Sequence, residues 1–427
     1  MGWSRAPWHK QAVPNTIHGR CLMAKYRYDA IIIGGFGHVG LPLGIALADA
    51  GLKIALYDIA DDLRESIQAG RMPFLDEGAE EILQRVIGKT LHVADGLSEV
   101  SESETIFITV GTPLDEHQNP KIEPILELCE QLIQYLNPDH RLILRSTVCP
   151  GTTKRLNELF ETRSCTVHLA YCPERIAQGH AVQELGKLPQ IVSGFTDTAV
   201  QGAEALFKRL GAETIELTVE EAELAKLFVN AWRYIQFAIT NQFYMIATEQ
   251  NADYSRIYHA MTHNYERASD FPGPGFAAGP CLLKDTLQLA AFYGNHFQLG
   301  HSAMLVNEGL PNFISDNLIP NFPGEISGTR VGILGMAFKA DTDDTRDSLS
   351  YRLAKILRFR GAVVVCSDDY VQDESFVSKE ELVETCPIVI VGVPHSSYKE
   401  LAVSQETHLV DLWGVIQHRK PAEVATR

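Results

Sequence analysis

Residues 28–58 read YDAIIIGGFGHVGLPLGIALADAGLKIALYD, and the fold is decided here. Residues 30–33 are a bare apolar run, the signature of a strand buried on both faces of a parallel sheet. Gly35, Gly37 and Gly40 follow at once, spaced G-x-G-x-x-G around His38 and Val39. Residues 38–50 have the pattern of an apolar helix, and a second strand over 53–57 ends in Asp58. Strand, glycine turn, helix and strand-end acid together make a dinucleotide fingerprint. The glycines permit a tight turn and a close backbone approach, the helix N-terminus receives a pyrophosphate, and the acid binds a ribose diol. Asp58 would repel a 2′-phosphate, so the reading is NAD rather than NADP. Gly35, Gly37, His38, Val39, Gly40 and Asp58 are the expected cofactor contacts.

Working outward, three more apolar runs end in polar punctuation. Strand 105–110 is followed by Gly111, Thr112 and Pro113, strand 142–144 by Ser146, Thr147 and Val148, and strand 167–171 by Pro173, Glu174 and Arg175. Ligands of open parallel sheets bind beyond the carboxyl ends of the strands, so Thr112, Thr147 and Glu174 point to one crevice. Taken singly each reads better as a cap or turn residue. From residue 219 to about 250 a single helix runs without Pro or Gly, with Glu223, Lys226 and Asn230 at i, i+3 and i+7 on one face. Leu227, Phe228 and Trp232 flank that face, which makes burial of the Glu/Lys pair plausible, and the helix is a natural dimer spine. A polar, Pro-rich connection over 311–328 leads to a second α/β pattern. There the strands are 330–334, 362–366, 388–391 and 408–411, with a helix over 348–360 and no full fingerprint.

The segment 272–285, PGPGFAAGPCLLKD, places Cys281 behind a Gly/Ala-rich loop and ahead of Lys284 and Asp285. For a lone cysteine a packing role is the commoner reading. A thiol beside a lysine and a carboxylate, however, has surroundings that favour thiolate and proton transfer. At 427 residues two or three domains are expected. The formal charge of −17 argues against nucleic acid or an anionic membrane as partner, so any anionic ligand must be held by local basic groups. No apolar run reaches membrane-span length. The eight cysteines are scattered without CxxC or zinc spacing, a reduced, cytoplasmic pattern with no metal site expected. Residues 1–27 have no apolar h-region and read as a disordered leader, with Met23 as an alternative start.

Together these stretches resemble the UDP-glucose/GDP-mannose dehydrogenase family, from about residue 28 to 413. The resemblance rests on the fingerprint, Val110-Gly111-Thr112-Pro113, Ser146-Thr147-Val148, Pro173-Glu174, Lys226-x-x-x-Asn230, Gly279-Pro280-Cys281-x-x-Lys284-Asp285, and Phe338-Lys339 through Asp344-x-Arg346. It implies an N-terminal Rossmann domain (28–215), a central long-helix dimerisation domain carrying the cysteine (216–310) and a C-terminal Rossmann-like UDP-sugar-binding domain (329–427). It also implies a homodimer that oxidises a sugar C6 alcohol to the acid with two NAD⁺. Cys281 would form the thiohemiacetal and thioester, since a serine ester is a poorer acyl donor. Lys226 and Asn230 would hold the oxyanion. Asp285 and Thr147 would orient water, with Glu174 as candidate base. Lys339, Gly275 and Phe276 would contact the nucleotide sugar, Thr112 and Arg346 the cofactor, and Arg267 the substrate of the neighbouring subunit. Two departures stand out: Ala277-Ala278-Gly279-Pro280 replaces the family's adjacent glycines, and Gln178 stands where a second carboxylate sometimes lies. Pro173-Glu174-Arg175, Pro150-Gly151-Thr152-Thr153 and Asn230-x-x-Arg233 look like the UDP-N-acetylhexosamine branch, whereas Cys281-Leu282-Leu283-Lys284-Asp285 looks like the UDP-glucose branch. A single-step β-hydroxyacid-type dehydrogenase needs neither the cysteine nor a third domain, and a non-catalytic nucleotide-sugar binder predicts a degraded Cys/Lys/Asn/Asp set.

Overall fold

In the computed structural model, residues 25–116, 120–322 and 324–416 are described. The expected leader lies outside them except for its last three residues, and these belong to the fold: the Arg27 N–H donates to the Glu102 carbonyl at 2.9 Å.

The apolar runs form an eight-stranded sheet of β1 (Tyr28–Ile33), β2 (Ile54–Tyr57), β3 (Leu91–Val93), β4 (Ser103–Ile108), β5 (Arg141–Leu144), β6 (His168–Tyr171), β7 (Gln190–Gly194) and β8 (Thr214–Glu216). Their order is β3-β2-β1-β4-β5-β6-β7-β8, parallel except where β6 meets β7. Strand order reverses between β1 and β4, which places the glycine turn after β1 over the crevice where such sheets bind ligands. Ile31, Ile32, Ile106, Phe107, Leu142 and Ile143 are wholly buried because helices cover both faces.

The long helix is Val219–Glu249, 31 residues, or about 46 Å at the usual rise. It starts on a capping box in which the Thr218 hydroxyl accepts from Glu221 N and the Glu221 carboxylate accepts from Thr218 N. Glu223, Lys226 and Asn230 are buried, as is Leu227, but Phe228 and Trp232 are 53% and 58% exposed. The burial of the polar face expected from the sequence is present, but the flanking aromatics do not supply it and are left exposed on the single chain. The Pro-rich connection is also revised, because helix Gln298–Asn321 runs through Pro311. Leu310 and Ile314 bury against Leu349 and Leu353 of helix Leu349–Phe359. That apolar contact outweighs the lost backbone bond at proline, and the helix bridges the middle of the chain to its last third.

The second sheet, β9 (Arg330–Leu334), β10 (Val363–Ser367), β11 (Ile388–Val391) and β12 (His408–Val410), is wholly parallel in the order β10-β9-β11-β12. The two sheets share one device. Asp58 at the end of β2 accepts from Phe36 N at 3.0 Å, and Asp368, after β10, accepts from Met336 N at 2.6 Å and Ala337 N at 2.9 Å. In each, an acid after the second strand ties down the turn after the first.

Candidate active site

On the cofactor side the turn is tight. A Cβ on Gly40 would sit 2.3 Å from the Gly34 carbonyl, whereas one on Gly37 would meet only that carbonyl, at 3.6 Å. Gly40 is thus required by packing, and Gly37 leaves open the approach that a pyrophosphate needs, ahead of helix Gly40–Asp49 with Val39 at its N-cap. The turn fits NAD. Asp58, the acid expected at the ribose, spends one oxygen on Phe36 N and the other on Ala60 N at 3.1 Å, so it shapes the loop. His38 packs on Phe74 with ring centroids 4.0 Å apart and lies 3.9 Å from Asp344. Burial and then the nearby Arg346 lower its pKa and keep the imidazole neutral. Arg346 is held by Asp344 through two nitrogens, at 2.6 and 3.0 Å. It influences both His38 and Cys281, so the last third of the chain reaches the crevice of the first sheet.

Beyond that crevice lies a cleft of about 350 Å³, walled by Ile176 and Gln178 of the first sheet domain, Lys226, Asn230 and Arg233 of the long helix, and Phe338 and Lys339 of the C-terminal domain. Cys281 opens into it from the N-cap of helix Leu282–Phe292. One turn on, Asp285 is 1% exposed. Its Oδ2 accepts from Asn230 Nδ2 at 2.6 Å, and its Oδ1 has no hydrogen-bond partner, an open acceptor inside the site. Lys284 Nζ stands 3.6 Å from Oδ1 and donates to the Thr112 hydroxyl at 3.2 Å. Thr112 in turn donates to the Thr147 carbonyl at 2.6 Å. Three strand-end and helix-start segments are thereby linked in one chain. The thiol itself differs from expectation. Burial first, and the Asp285 charge second, push the Cys281 pKa up, and Lys226, Lys284 and Arg346 offset this only in part. The residue itself stays exposed at the cleft surface; the expected bias towards thiolate is opposed there by the surrounding protein and by Asp285.

Glu174 does not line the cleft. One oxygen pairs with the fully buried Arg145, and the other accepts from Arg175 N at 2.6 Å and Ile176 N at 2.9 Å. An acid already saturated by an ion pair and two amides serves the loop instead of acting as the expected base. Arg267 is exposed in the short turn Glu266–Ala268 and does not line the cleft. Lys339 does line it, donating to the Gln178 carbonyl, and burial, then Arg233, lower its pKa. Phe276 is on the wall, and Gly275 is clamped by Asn241, which accepts from its N–H at 2.8 Å and donates to its carbonyl at 3.0 Å. A Cβ on Gly275 would lie 2.1 Å from the Trp413 ring.

Sequence reasoning missed one buried ionic group, Arg145, and the partner of another, Glu223. Arg145 interrupts an apolar strand end, a position where a charge requires a partner, and that was the available signal. Glu223, 0% exposed, accepts from Gly151 N at 2.6 Å, Thr153 N at 2.9 Å and Thr153 Oγ1 at 2.6 Å. It caps helix Thr152–Thr162 and ties the Thr147 segment to the long helix one turn from Lys226. Its pairing with the next loop, and not with Lys226, had no sequence signal.

Three consecutive segments match the UDP-glucose/GDP-mannose dehydrogenase family: the NAD binding domain over 29–211, the central domain over 220–309 and the UDP binding domain over 332–418. The chain belongs to that family. It is an NAD-dependent nucleotide-sugar dehydrogenase built in the family's three parts. A UDP-N-acetyl-D-mannosamine dehydrogenase of Pyrococcus horikoshii is 29% identical over 385 residues, covering 87% of this chain and 90% of that protein. The UDP-glucose 6-dehydrogenase YwqF of Bacillus subtilis is 26% identical over 340 residues, covering 76% of each. Among solved structures, the UDP-D-ManNAc dehydrogenase of Pyrococcus horikoshii superposes with a TM-score of 0.81 at 25% identity, covering 92% of this chain and 97% of that one. A UDP-glucose dehydrogenase of Pyrobaculum islandicum gives 0.82 at 24% identity, covering 92% and 96%. No helix among the described residues is long and apolar enough to cross a membrane.

Proposed function

We propose that this enzyme oxidises the C6 alcohol of a UDP-N-acetylhexosamine, of mannosamine or glucosamine type, to the uronic acid in two steps. The carrying observation is the convergence of Cys281, Lys226 and Asn230 on one cleft between the NAD-binding and UDP-binding domains, with buried Asp285 bonded to Asn230. NAD⁺ accepts hydride in both oxidations, one molecule for each. The aldehyde of the first oxidation adds the Cys281 thiol, forming a C–S bond and a thiohemiacetal. The second oxidation turns that carbon into a thioester. Water then breaks the C–S bond, releasing the carboxylate and returning the thiol. Lys226 and Asn230 stabilise the C6 oxyanion. Asp285, whose Oδ1 is the open buried acceptor, orients the water together with Thr147 and takes the base role expected of Glu174. Arg233 and Lys339 supply the positive charge that a pyrophosphate requires in a chain of net charge −17.

The sugar preference rests on Arg233 in the cleft wall and on relatives named for UDP-N-acetyl-D-mannosamine. UDP-glucose is the second reading, supported by the Bacillus subtilis relative and by the Cys281-to-Asp285 segment. The chain pairs as a homodimer through the apolar face where Phe228, Trp232, Phe292 and Tyr293 are 53%, 58%, 49% and 62% exposed, and Arg267 serves the neighbouring cleft. Scattered free thiols suit a reducing cytoplasm.

The test is NADH formed per sugar consumed, with UDP-glucose, the UDP-N-acetylhexosamines and GDP-mannose, for wild type and Cys281→Ala. Two NADH per sugar, abolished by the substitution, is the expected result and names the substrate. One NADH per sugar, indifferent to Cys281, overturns the thioester route. Light scattering on Trp232→Glu tests the pairing: a monomer is expected, and an unchanged dimer refutes this face.

A further inference from the structure

The turn over residues 336–341 carries Phe338 and Lys339 into the cleft, and it is pinned at both ends by one buried pair. At its start, Asp368 Oδ2 accepts from Met336 N at 2.6 Å and Ala337 N at 2.9 Å. At its end, the Asp341 N–H donates to His395 Nδ1 at 2.9 Å. The two anchors are joined, because His395 Nε2 donates to Asp368 Oδ2 at 3.0 Å and both side chains are 0% exposed. With Nδ1 accepting and Nε2 donating, the ring is held as the neutral Nε2–H tautomer. Asp341 has a φ of +54°, a left-handed conformation uncommon for a residue with a side chain. Ser396 holds it there, its N–H and hydroxyl donating to Asp341 Oδ1 at 2.8 and 3.0 Å. Nothing here touches Cys281, so the arrangement is not catalytic machinery.

We propose that His395 is a positioning residue that, clamped on Asp368, sets the 336–341 turn and thereby the affinity of the cleft for the nucleotide part of the substrate. Lys339 is held by the turn itself, by its bond to the Gln178 carbonyl and by lying over the ring of Phe338 in the same turn. Phe338 is seated between the Asp344 carbonyl, which accepts from its N–H at 2.8 Å, and Gly279 of the cysteine loop. Releasing the far end of the turn would let Asp341 leave its left-handed conformation and carry the ammonium of Lys339 out of line. The inference rests on the reading of Lys339 as a ligand of the UDP-sugar.

The test measures binding of UDP by calorimetry, and NAD⁺ binding beside it, in the full-length enzyme. His395→Phe keeps the ring and loses both bonds. Ser396→Ala removes one bond at the surface and serves if His395→Phe does not fold. The expected result is a UDP Kd about tenfold weaker for His395→Phe, as for one lost hydrogen bond to a charged network. A smaller weakening is expected for Ser396→Ala, with NAD⁺ affinity unchanged in both. Lys339→Ala should weaken UDP binding by itself, and adding His395→Phe to it should weaken binding no further. Unchanged UDP binding in a folded His395→Phe and in Ser396→Ala overturns the proposal. So does full additivity with Lys339→Ala, or an equal loss of NAD⁺ affinity. Failure of the wild type itself to bind UDP would refute the reading of the cleft on which the proposal stands.

Discussion

Gly279→Ala tests how tightly the cysteine loop is built. Gly279 has a φ of +99°, and a Cβ there would lie 2.4 Å from Phe338 Cδ2 and 2.7 Å from Cε2. The left-handed backbone costs an alanine about 1–2 kcal/mol, and driving an atom into a seated ring costs about 1–3 kcal/mol more. Together, about 2–5 kcal/mol opposes the native loop, and moving the loop is the easier relaxation, because Phe338 is anchored through its own backbone to Asp344. Cys281 is two residues on, and a shift of about 1 Å in a reacting group costs about a hundredfold in rate. The expected kcat is therefore lower by about a hundredfold or more, read as steady-state NADH production. Gly273→Ala is the matched control in the same loop: it has nothing within 4 Å of an added Cβ and no left-handed φ. It should be nearly silent. Comparable losses in both variants, or full activity in Gly279→Ala, would refute the reasoning.

Three further outcomes follow from the charges in the fold. Because burial and Asp285 raise the Cys281 pKa, iodoacetamide labelling of the free enzyme should rise only above the pH of an ordinary thiol; Asp285→Asn should move that rise to lower pH and Lys226→Met to higher pH, and mass-spectrometric labelling rates decide it. Glu223→Ala leaves two buried amides and a hydroxyl unpartnered, costing about 3–5 kcal/mol, and Glu223→Gln costs about 1–2 kcal/mol; apparent Tm at a fixed scan rate should rank them, and equal values would deny the cap. Asp368 would be raised by burial, but the bond from His395 and the turn amides hold it at about 2, below its unfolded value. Its stabilisation is therefore complete above about pH 4 and lost as pH falls towards 2; hydrogen exchange in β10 should accelerate over that window, less steeply in His395→Phe.

The α/β class, both parallel units, the fingerprint loop and the long helix were legible because their signals are local. A strand buried on both faces reads as an unbroken apolar run, a pyrophosphate turn is glycine-rich, and the 31-residue helix carries neither Pro nor Gly. β3, β7 and β8 escaped that reading: β3 and β8 are three-residue strands at the two edges of the sheet, and β7 has the polar Gln190 and Ser193 among its buried residues. Proline signalled a break at 311 because its cost is local, while the packing of Leu310 and Ile314 that overrode it comes from residues far along the chain.

Residue types determined the chemistry of the site, namely one thiol, one lysine, one amide and one acid in motifs of fixed spacing. Their states were decided only when the three parts closed on one another. The sequence neighbours of Cys281 suggested thiolate, but its hydration depends on walls contributed by the long helix and the C-terminal domain. Glu174 stood at a strand end like any candidate base until Arg145, 29 residues earlier, took its carboxylate. Glu223 had the spacing of a partner for Lys226 and instead capped the helix after β5. Spacing along a chain settles which groups share a face. Which charge meets which, and how much water stays between them, depends on surfaces brought together from distant segments, and those terms set every pKa and hydrogen bond in the cleft.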